Sequence, residues 1–400
     1  MCAAVTVKEA TEIVLRHAGD FGIEKCALFK AAGRVLAEDV SAERPQPPFN
    51  RVMMDGIACR AADEFPLKCL GRHQAGAKIP TLTEGNVCWE VMTGAALPYG
   101  ADCVIPVEAL VRKEMDVFLK PGDGGTRIAG RFIHPKGSDA QKGDLLLSAG
   151  ARIDGPVMAL LAANGYAEVS VYRLPKIALL ATGDELVDVD AEVGEGQIRR
   201  SNDSMMRGVL ASGGFEPSHV EHIPDDFETL VAALQRVLKE SDVIILSGGV
   251  SMGAFDYVPS ALQKVGAKKL IHRVTQRPGA PMWFGIGPQG QRIFGMPGNP
   301  VSAMACSARY VLPLLKAAMK DRSALLPRKA MIKETVQSMD KRTFFLPVCL
   351  VWEEERAVLI PHHVPTSGDF MHLGDTDGIA EIPAGKGEIN AGSLVSFYPW

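Results

Sequence analysis

Apolar residues first recur at helical spacing at Val7, Ala10, Ile13 and Val14, which predicts a helix over Thr6–Ala18 with Thr6 as its N-cap. A proline-rich loop, Arg44-Pro-Gln-Pro-Pro-Phe-Asn50, leads into Met53-Met-Asp-Gly-Ile-Ala58. From there to about Ala149 the pattern shortens and alternates. Asn86–Met92, Cys103–Glu108 and Asp116–Lys120 lie between glycine- and proline-bearing turns, the signature of a β-rich module. Gly155–Gly165 reads as a helix and Tyr166–Arg173 as a strand.

From Lys176 the apolar runs become continuous. Ile177-Ala-Leu-Leu-Ala-Thr-Gly-Asp-Glu185, Val243-Ile-Ile-Leu-Ser-Gly-Gly-Val-Ser251 and Ile293-Phe-Gly-Met-Pro-Gly-Asn-Pro300 each read as a buried strand entering a small-residue turn. Helical patterns at Asn202–Leu210, Phe227–Leu238, Val258–Lys264 and Pro300–Lys316 separate or follow them. Asparagine can cap and proline suits the first helical position, so Asn299-Pro300 predicts a helix start. The alternation predicts a parallel α/β sheet, with ligands bound beyond the carboxyl ends of its strands. After a linker at Leu326-Pro-Arg-Lys329, short runs at Val348–Trp352, Ala357–Ile360, Ile379–Ile382 and Leu394–Tyr398 predict a terminal β-unit.

Four hundred residues exceed one ordinary core, so two to four structural units are expected. A net charge of −4 gives no reason to expect nucleic acid or an anionic membrane as partner. No apolar run nears the roughly 20 residues that span a bilayer. The first residues lack a basic and then apolar leader pattern, so a cytoplasmic location is expected. The eight cysteines show no C-x-x-C spacing, which favours reduced thiols over a disulfide framework or a zinc site. His219 with His222 and His362 with His363 lack the neighbours of a metal motif.

The three strand ends carry the candidate chemistry. In Leu246-Ser-Gly-Gly-Val-Ser-Met-Gly-Ala-Phe-Asp256, the amides around Gly248 and Gly249 suit an anion-binding nest, with the hydroxyls of Ser247 and Ser251 beside it. A ligand-free glycine turn reads the same way. Glu185, Asp225-Asp226 and Asp256 form an acidic set suited to Mg²⁺ beside a phosphate. Gly295-Met-Pro-Gly-Asn-Pro-Val-Ser302 aims a helix start at the same edge. Arg199 and Arg200 precede Ser201-Asn202 and suit either phosphate or solvent. Asp55 stands before a glycine, as in an ordinary turn. There is no Ser-His-Asp, Walker or complete dinucleotide pattern, and Cys306 reads as an inert core thiol.

Taken in order, Met54-Asp-Gly, Met92-Thr-Gly-Ala, Gly137-Ser-Asp139, Thr182-Gly-Asp-Glu-Leu186, Ile198 to Ser201-Asn202, Ser247-Gly-Gly-Val-Ser251 with Asp256, Pro278-Gly279 and Met296-Pro-Gly-Asn-Pro-Val-Ser302 resemble the MoeA family of molybdopterin molybdenumtransferases and the similar E domain of gephyrin. The resemblance covers essentially the whole chain. It implies insertion of molybdate into adenylylated molybdopterin with release of AMP, Mg²⁺ as cofactor, and a homodimer; other molybdenum-cofactor proteins are implied as partners. It also implies four parts: an elongated linker domain (1–45 and 140–174), a β-rich module (46–139), a central α/β molybdopterin-binding domain (175–325) and a small barrel-like C-terminal β domain (326–400). Carried over as catalytic are Asp55, Thr93, Asp139, Glu185, Asp225 and Asp256, the last three also holding metal. Carried over for substrate are Ser201, Asn202, Ser247, Gly248, Gly249, Ser251, Arg277, Pro297, Gly298, Asn299, Pro300, Ser302 and Ser367.

Four departures bear on that function. Where the family commonly has Lys-Pro-Gly-Lys-Pro, this chain has Arg277-Pro-Gly-Ala-Pro281, so a second cation becomes Ala280. Two family arginines align with His134 and Pro347, and a tyrosine with Ile57. Losing a charged partner from a partly buried anion site costs about 2–5 kcal/mol. Arg51, Arg342 and Lys136 are the cations that would substitute in space. The alternative is a non-catalytic pterin-nucleotide-binding or scaffold paralogue that has lost the oxyanion site. A third reading is a pterin adenylyltransferase or nucleotide hydrolase. Molybdate and tungstate stay equally open.

Overall fold

In the computed structural model, which describes residues 4–250, 257–321, 328–362, 366, 368 and 370–400, contacts resolve two units. One comprises Met1–Ala37, Gly150–Asp154 and Glu168–Trp400; the other comprises Glu38–Ala149 and Gly155–Ala167.

The first unit holds a six-stranded sheet. Strands Pro217–Ile223, Ile177–Thr182, Val243–Ser247 and Arg292–Met296 lie side by side and parallel. Every residue of Ile177–Thr182 and Val243–Ser247 is buried. Alternate side chains serve opposite faces. Ile177, Leu179, Val243 and Ile245 pack with Met206, Val209 and Leu210 of helix Asn202–Ser212 and with the N-terminal helix. Ala178, Leu180, Ile244 and Leu246 pack with helices Phe227–Glu240 and Val258–Lys264. Burial on both faces is why these strands read as continuous apolar runs.

The sheet is not wholly parallel as predicted. Trp283–Ile286 and Lys268–Ile271 add antiparallel to its edge. Residues 287–291 are too short a link for a parallel crossover, which takes a dozen or more residues. They close as a hairpin through Gly287 N–H to Gln291 O at 2.8 Å. The edge strand Pro217–Ile223 escaped the apolar pattern because His219, Glu221 and His222 are only half-buried there.

The N-terminal helix is Val7–Arg16, and its cap is as expected. Thr6 Oγ1 accepts from Glu9 N–H at 3.2 Å, while Glu9 Oε2 accepts from Thr6 N–H at 2.7 Å, a reciprocal capping box. Asn299 opens Pro300–Cys306 through its backbone alone; its side chain makes no capping bond. Ser201 likewise caps Asn202–Ser212 without a side-chain bond. The predicted Pro300–Lys316 helix is interrupted by a π-turn at Ser307–Val311 before Leu312–Ala318.

Strands Arg328–Ile332, Thr343–Glu353, Arg356–Pro361, Gly378–Ile382 and Leu394–Pro399 close into a small barrel around Ile332, Leu346, Leu359, Ile382 and Phe397. A short strand from the central domain, Gln276–Arg277, adds parallel to Thr343-Phe344. That pairing matters for the site.

The second unit has its own six-stranded sheet, ordered Cys103–Pro106, Gly56–Cys59, Val87–Val91, Leu67–His73, Asp116–Leu119, Leu110–Lys113. Leu67–His73 was not foreseen, because Lys68 and Arg72 interrupt its apolar run. The helix Gly155–Ala163 belongs to this unit.

Candidate functional site

The chain leaves Ile177–Thr182 for a strand on one side and returns to Val243–Ser247 on the other. Neighbouring connections that diverge this way open a crevice at the strand carboxyl ends. A cleft of about 640 Å³ sits there, bordered by Thr182, Gly183, Gly248 and Gly249. The backbone is drawn tight at its floor. Gly248 has φ of 95°, and a Cβ there would come within 2.5 Å of Thr182 O. Gly248 N–H donates to Met296 O at 3.2 Å, joining two strand ends. Asn202 Nδ2 donates to Ser247 Oγ at 2.8 Å and to Gly298 O at 2.7 Å. Its Oδ1 is buried with no partner among the described residues.

Glu185 and Asp225 both border this cleft. Asp225 N–H donates to Asp184 Oδ1 at 2.9 Å, tying together the turns that carry them. Asp226 is not available to the acidic set. It caps Phe227–Glu240, accepting from Thr229 N–H at 2.8 Å and Thr229 Oγ1–H at 2.6 Å, and these bonds lower its pKa. Ser251, Asp256 and Ser367 lie outside the described residues. Among the described residues no group of three or more His, Cys, Asp or Glu converges on a metal position. Two carboxylates beside a phosphate cradle still suit Mg²⁺, which keeps several waters and takes one or two carboxylates with phosphate oxygens.

The facing wall is the Arg277–Pro281 turn with Pro297, Gly298, Asn299 and Ser302. Arg342, one residue ahead of Thr343–Glu353, reaches the same cleft, because that strand pairs with Gln276–Arg277. Two arginines therefore stand with Ala280 around one space. The turn rests on a buried network that sequence reading missed. Gln276, 0 % exposed, donates through Nε2 to Gly279 O at 3.1 Å and accepts from Tyr310 Oη–H at 2.5 Å. Gly279 has φ of 85°, and a Cβ there would meet Cys306 Sγ at 2.6 Å. Burial pushes the Cys306 thiol up to about 12, as expected of a core thiol. A polar residue directly before Arg-Pro-Gly was the available signal for Gln276.

A second cleft of about 810 Å³ shares Thr182, Glu185, Gly248, Gly298 and Asn299 with the first. It collects Ser201, Asn202, Ser247 and Pro300, and is more apolar through Val193, Ile198, Phe370 and Met371. Arg199 and Arg200 border it but are engaged within the protein: Arg200 pairs with Asp188 at 2.6 Å, and Arg199 donates to Ala191 O at 3.2 Å. His222 Nε2 bonds Gly183 O at 2.7 Å, and His219 bonds Glu221 at 2.9 Å.

The second unit gathers the remaining predicted residues. Asp55 Oδ1 accepts from Thr93 N–H at 2.6 Å and from its hydroxyl at 2.7 Å, which holds the Asp55 carboxyl below its ordinary value. Asp139 Oδ1 lies 2.7 Å from His134 Nε2, whose other nitrogen lies 2.9 Å from Arg51 Nη2. The His134 hydrogen bond is the main reason the Asp139 pKa is lowered. Arg51 thus backs the histidine that stands at one departure. Lys136 is exposed, and its amide bonds Asn50 Oδ1 at 2.8 Å. Pro347 is a buried strand residue opposite Ile379, not a cleft residue.

Three family models match in order: MoeA N-terminal region (domain I and II) over residues 5–165, "Probable molybdopterin binding domain" over 178–317, and MoeA C-terminal region (domain IV) over 329–400. Together with the switch-point cleft, they make this a multidomain α/β protein with a molybdopterin-binding type of central domain. A molybdopterin molybdenumtransferase of Synechocystis sp. is 36% identical, covering 99% of this chain and 100% of that protein. One from Staphylococcus aureus is 29% identical over 98% of this chain and 94% of its own. A solved structure of the molybdopterin biosynthesis moeA protein from Pyrococcus horikosii superposes with TM-score 0.82 at 31% identity, covering 99% of each chain. The chain belongs to the MoeA family.

Proposed function

We propose that this protein is a working molybdopterin molybdenumtransferase, taking adenylylated molybdopterin and molybdate and releasing AMP and the metal-loaded cofactor. One observation carries the reading: Glu185 and Asp225, the Gly248-Gly249 turn, and Arg277 with Arg342 border one cleft at the sheet's switch point. The Gly249 amide and the helix start at Asn299-Pro300 are suited to the substrate's phosphate, while the Gly248 amide, bonded to Met296 O, holds the turn in place. Arg277 and Arg342 are suited to molybdate, a dianion that needs cations where water is partly excluded. Mg²⁺, held by Glu185 and Asp225, would supply charge neutralisation as the phosphoanhydride breaks. The second, more apolar cleft suits the organic part of the substrate. No observation favours a binding protein without chemistry.

The finer assignments belong to the same proposal. They are the roles of Asp55, Thr93, Asp139, Asp256, Ser251 and Ser367, the four-part domain division, a cytoplasmic location, and a homodimer that brings the Asp55 and Asp139 clusters to a partner's cleft. Among the described residues no helix is long and apolar enough to cross a membrane. The deciding experiment incubates purified protein with adenylylated molybdopterin, Mg²⁺ and molybdate, and follows AMP release and cofactor formation together. Tight substrate binding with no AMP release would refute the transferase reading. A monomer by light scattering that retains full activity would refute the dimer.

A further inference from the structure

Four cysteines form a row across the sheet of the second unit. Cys103 is in register with Cys59, and Cys88 with Cys69. Cys59 and Cys88 occupy the next position beyond the Ala58–Trp89 pair. All four are 0 % exposed and share one apolar cluster with Ile57, Leu67 and Ile105. Such a row cannot enclose one metal ion. Adjacent strands lie about 4.8 Å apart, so the outer thiols are roughly 14 Å from each other, against Zn–S bonds of about 2.3 Å.

Cys59 and Cys103 have their sulfurs 3.6 Å apart. Directly opposed residues on antiparallel strands have Cα separations of about 4.5–5.5 Å, inside the range that disulfides span. Cys103 also lies on the outer strand of the sheet. Among the described residues that strand's other edge meets no strand but only the 130–131 turn, through Val104 N–H to Arg131 O at 3.2 Å and Gly130 N–H to Asp102 O at 2.7 Å. Outer strands open locally more readily than inner ones, which gives a small neutral reagent a way in. Either sulfur can donate across their contact, so position sets the order of reaction: Cys103, on the outer strand, is the one that local opening reaches first.

We propose that Cys103 and Cys59 are a peroxide-oxidisable dithiol that closes to a cross-strand disulfide. The Cys103 thiolate attacks one oxygen of hydrogen peroxide; the O–O bond breaks, hydroxide leaves, and Cys103 becomes a sulfenic acid. The Cys59 thiol then loses its proton and attacks that sulfur, the S–O bond breaks, and the departing hydroxide is protonated. Two thiols and one peroxide give one disulfide and two waters. The sulfurs lose two electrons and the peroxide oxygens gain them. The neighbouring Cys69–Cys88 pair, whose mutual bond lowers the Cys69 thiol to about 6, sits on parallel inner strands that local opening does not reach, and takes no part.

The test treats the full-length protein with hydrogen peroxide, blocks remaining thiols with N-ethylmaleimide, and maps cysteine-bearing peptides by mass spectrometry. A digest that cuts at Trp89 or Tyr99 separates Cys88 from Cys103. The expected product is a Cys59–Cys103 link that dithiothreitol reverses. Cys59→Ser should stop at a Cys103 sulfenic acid, trapped by dimedone, and Cys103→Ser should remove the reaction. Should Cys59→Ser unfold, Cys59→Ala repeats the trapping, and the wild-type map decides alone in any case. Cys26 and Cys349, which are less buried, are the internal control. Oxidation confined to them, a link between any other pair, or Cys103 over-oxidised without a link would each overturn the proposal.

Discussion

Replacing Arg342 with glutamine tests where the oxyanion sits. Arg342 and Arg277 border the same cleft because the Gln276–Arg277 strand pairs with Thr343-Phe344. A monovalent cation about 5 Å from a dianion gains about 1.7 kcal/mol at the dielectric of water and about 6.6 kcal/mol at an effective value of 20. Arg342 is exposed, so the lower figure applies. That corresponds to a roughly tenfold to twentyfold rise in half-saturating molybdate. The assay measures AMP release against molybdate concentration at saturating pterin nucleotide and Mg²⁺. The maximal rate should stay close to wild type, and the shift should shrink as salt rises, because exposed charges are screened over about 8–10 Å. If Arg342→Gln and Arg277→Gln both leave half-saturation unchanged, the oxyanion does not lie between them and the reasoning fails.

The converse change, Ala280→Lys, should lower half-saturating molybdate; no change, or a rise, would show that the two arginines already fill the space. Glu185→Gln and Asp225→Asn should each raise the Mg²⁺ needed for half-maximal turnover while leaving the melting temperature within a few degrees, and wild-type magnesium curves would remove both from a metal role. Gln276→Leu strands the buried Tyr310 hydroxyl and frees Gly279 O, so about 1–3 kcal/mol of stability should be lost. It should also raise half-saturating molybdate, and Tyr310→Phe should do so less; a stability loss with unchanged molybdate dependence would reduce Gln276 to a purely structural role. Asp242 is partly buried, which works against its ionisation, but its bonds to Arg173 at 2.9 Å and to Lys176 N–H at 2.7 Å outweigh that and lower its pKa. A lowered folded-state pKa gives stability that is present above the unfolded value, near 3.9, and lost as pH falls through the folded value. Asp242→Asn should therefore melt lower than wild type at pH 7, with the gap closing below about pH 4; a gap independent of pH would refute the charge argument.

What could be read in advance follows from burial. The strands ending at Thr182, Ser247 and Met296 are buried on both faces, so their sequences are unbroken apolar runs and their turns can be found by inspection. Thr6 was legible as a cap from its residue type and place at the helix start, whereas its reciprocal bond with Glu9 emerged only from the structure. The edge strand at His219 and the hairpin strand at Trp283 could not be found that way. An edge strand is half solvated, and hairpin direction is set by loop length, not by apolar pattern. Asn299 has a residue type suited to capping, yet its side chain makes no cap bond, since residue type states a capacity and packing decides its use.

The cation losses that made the site doubtful in sequence look different in space. Each departure removes an arginine or lysine from a position along the chain, but an anion responds to charge within a few ångströms, whichever segment supplies it. Strand pairing with Gln276–Arg277 sets Arg342 at the cleft that contains Ala280. His134 keeps a bond to Asp139 while Arg51 stands 2.9 Å behind it. The Arg51 guanidinium can only donate, so His134 accepts from it through Nδ1 and donates to Asp139 through Nε2–H, and the positive charge of this relay is Arg51's. Arg51→Gln should therefore lower AMP release more than His134→Gln does, and an unchanged rate in Arg51→Gln would show that the charge behind the histidine does not enter the reaction.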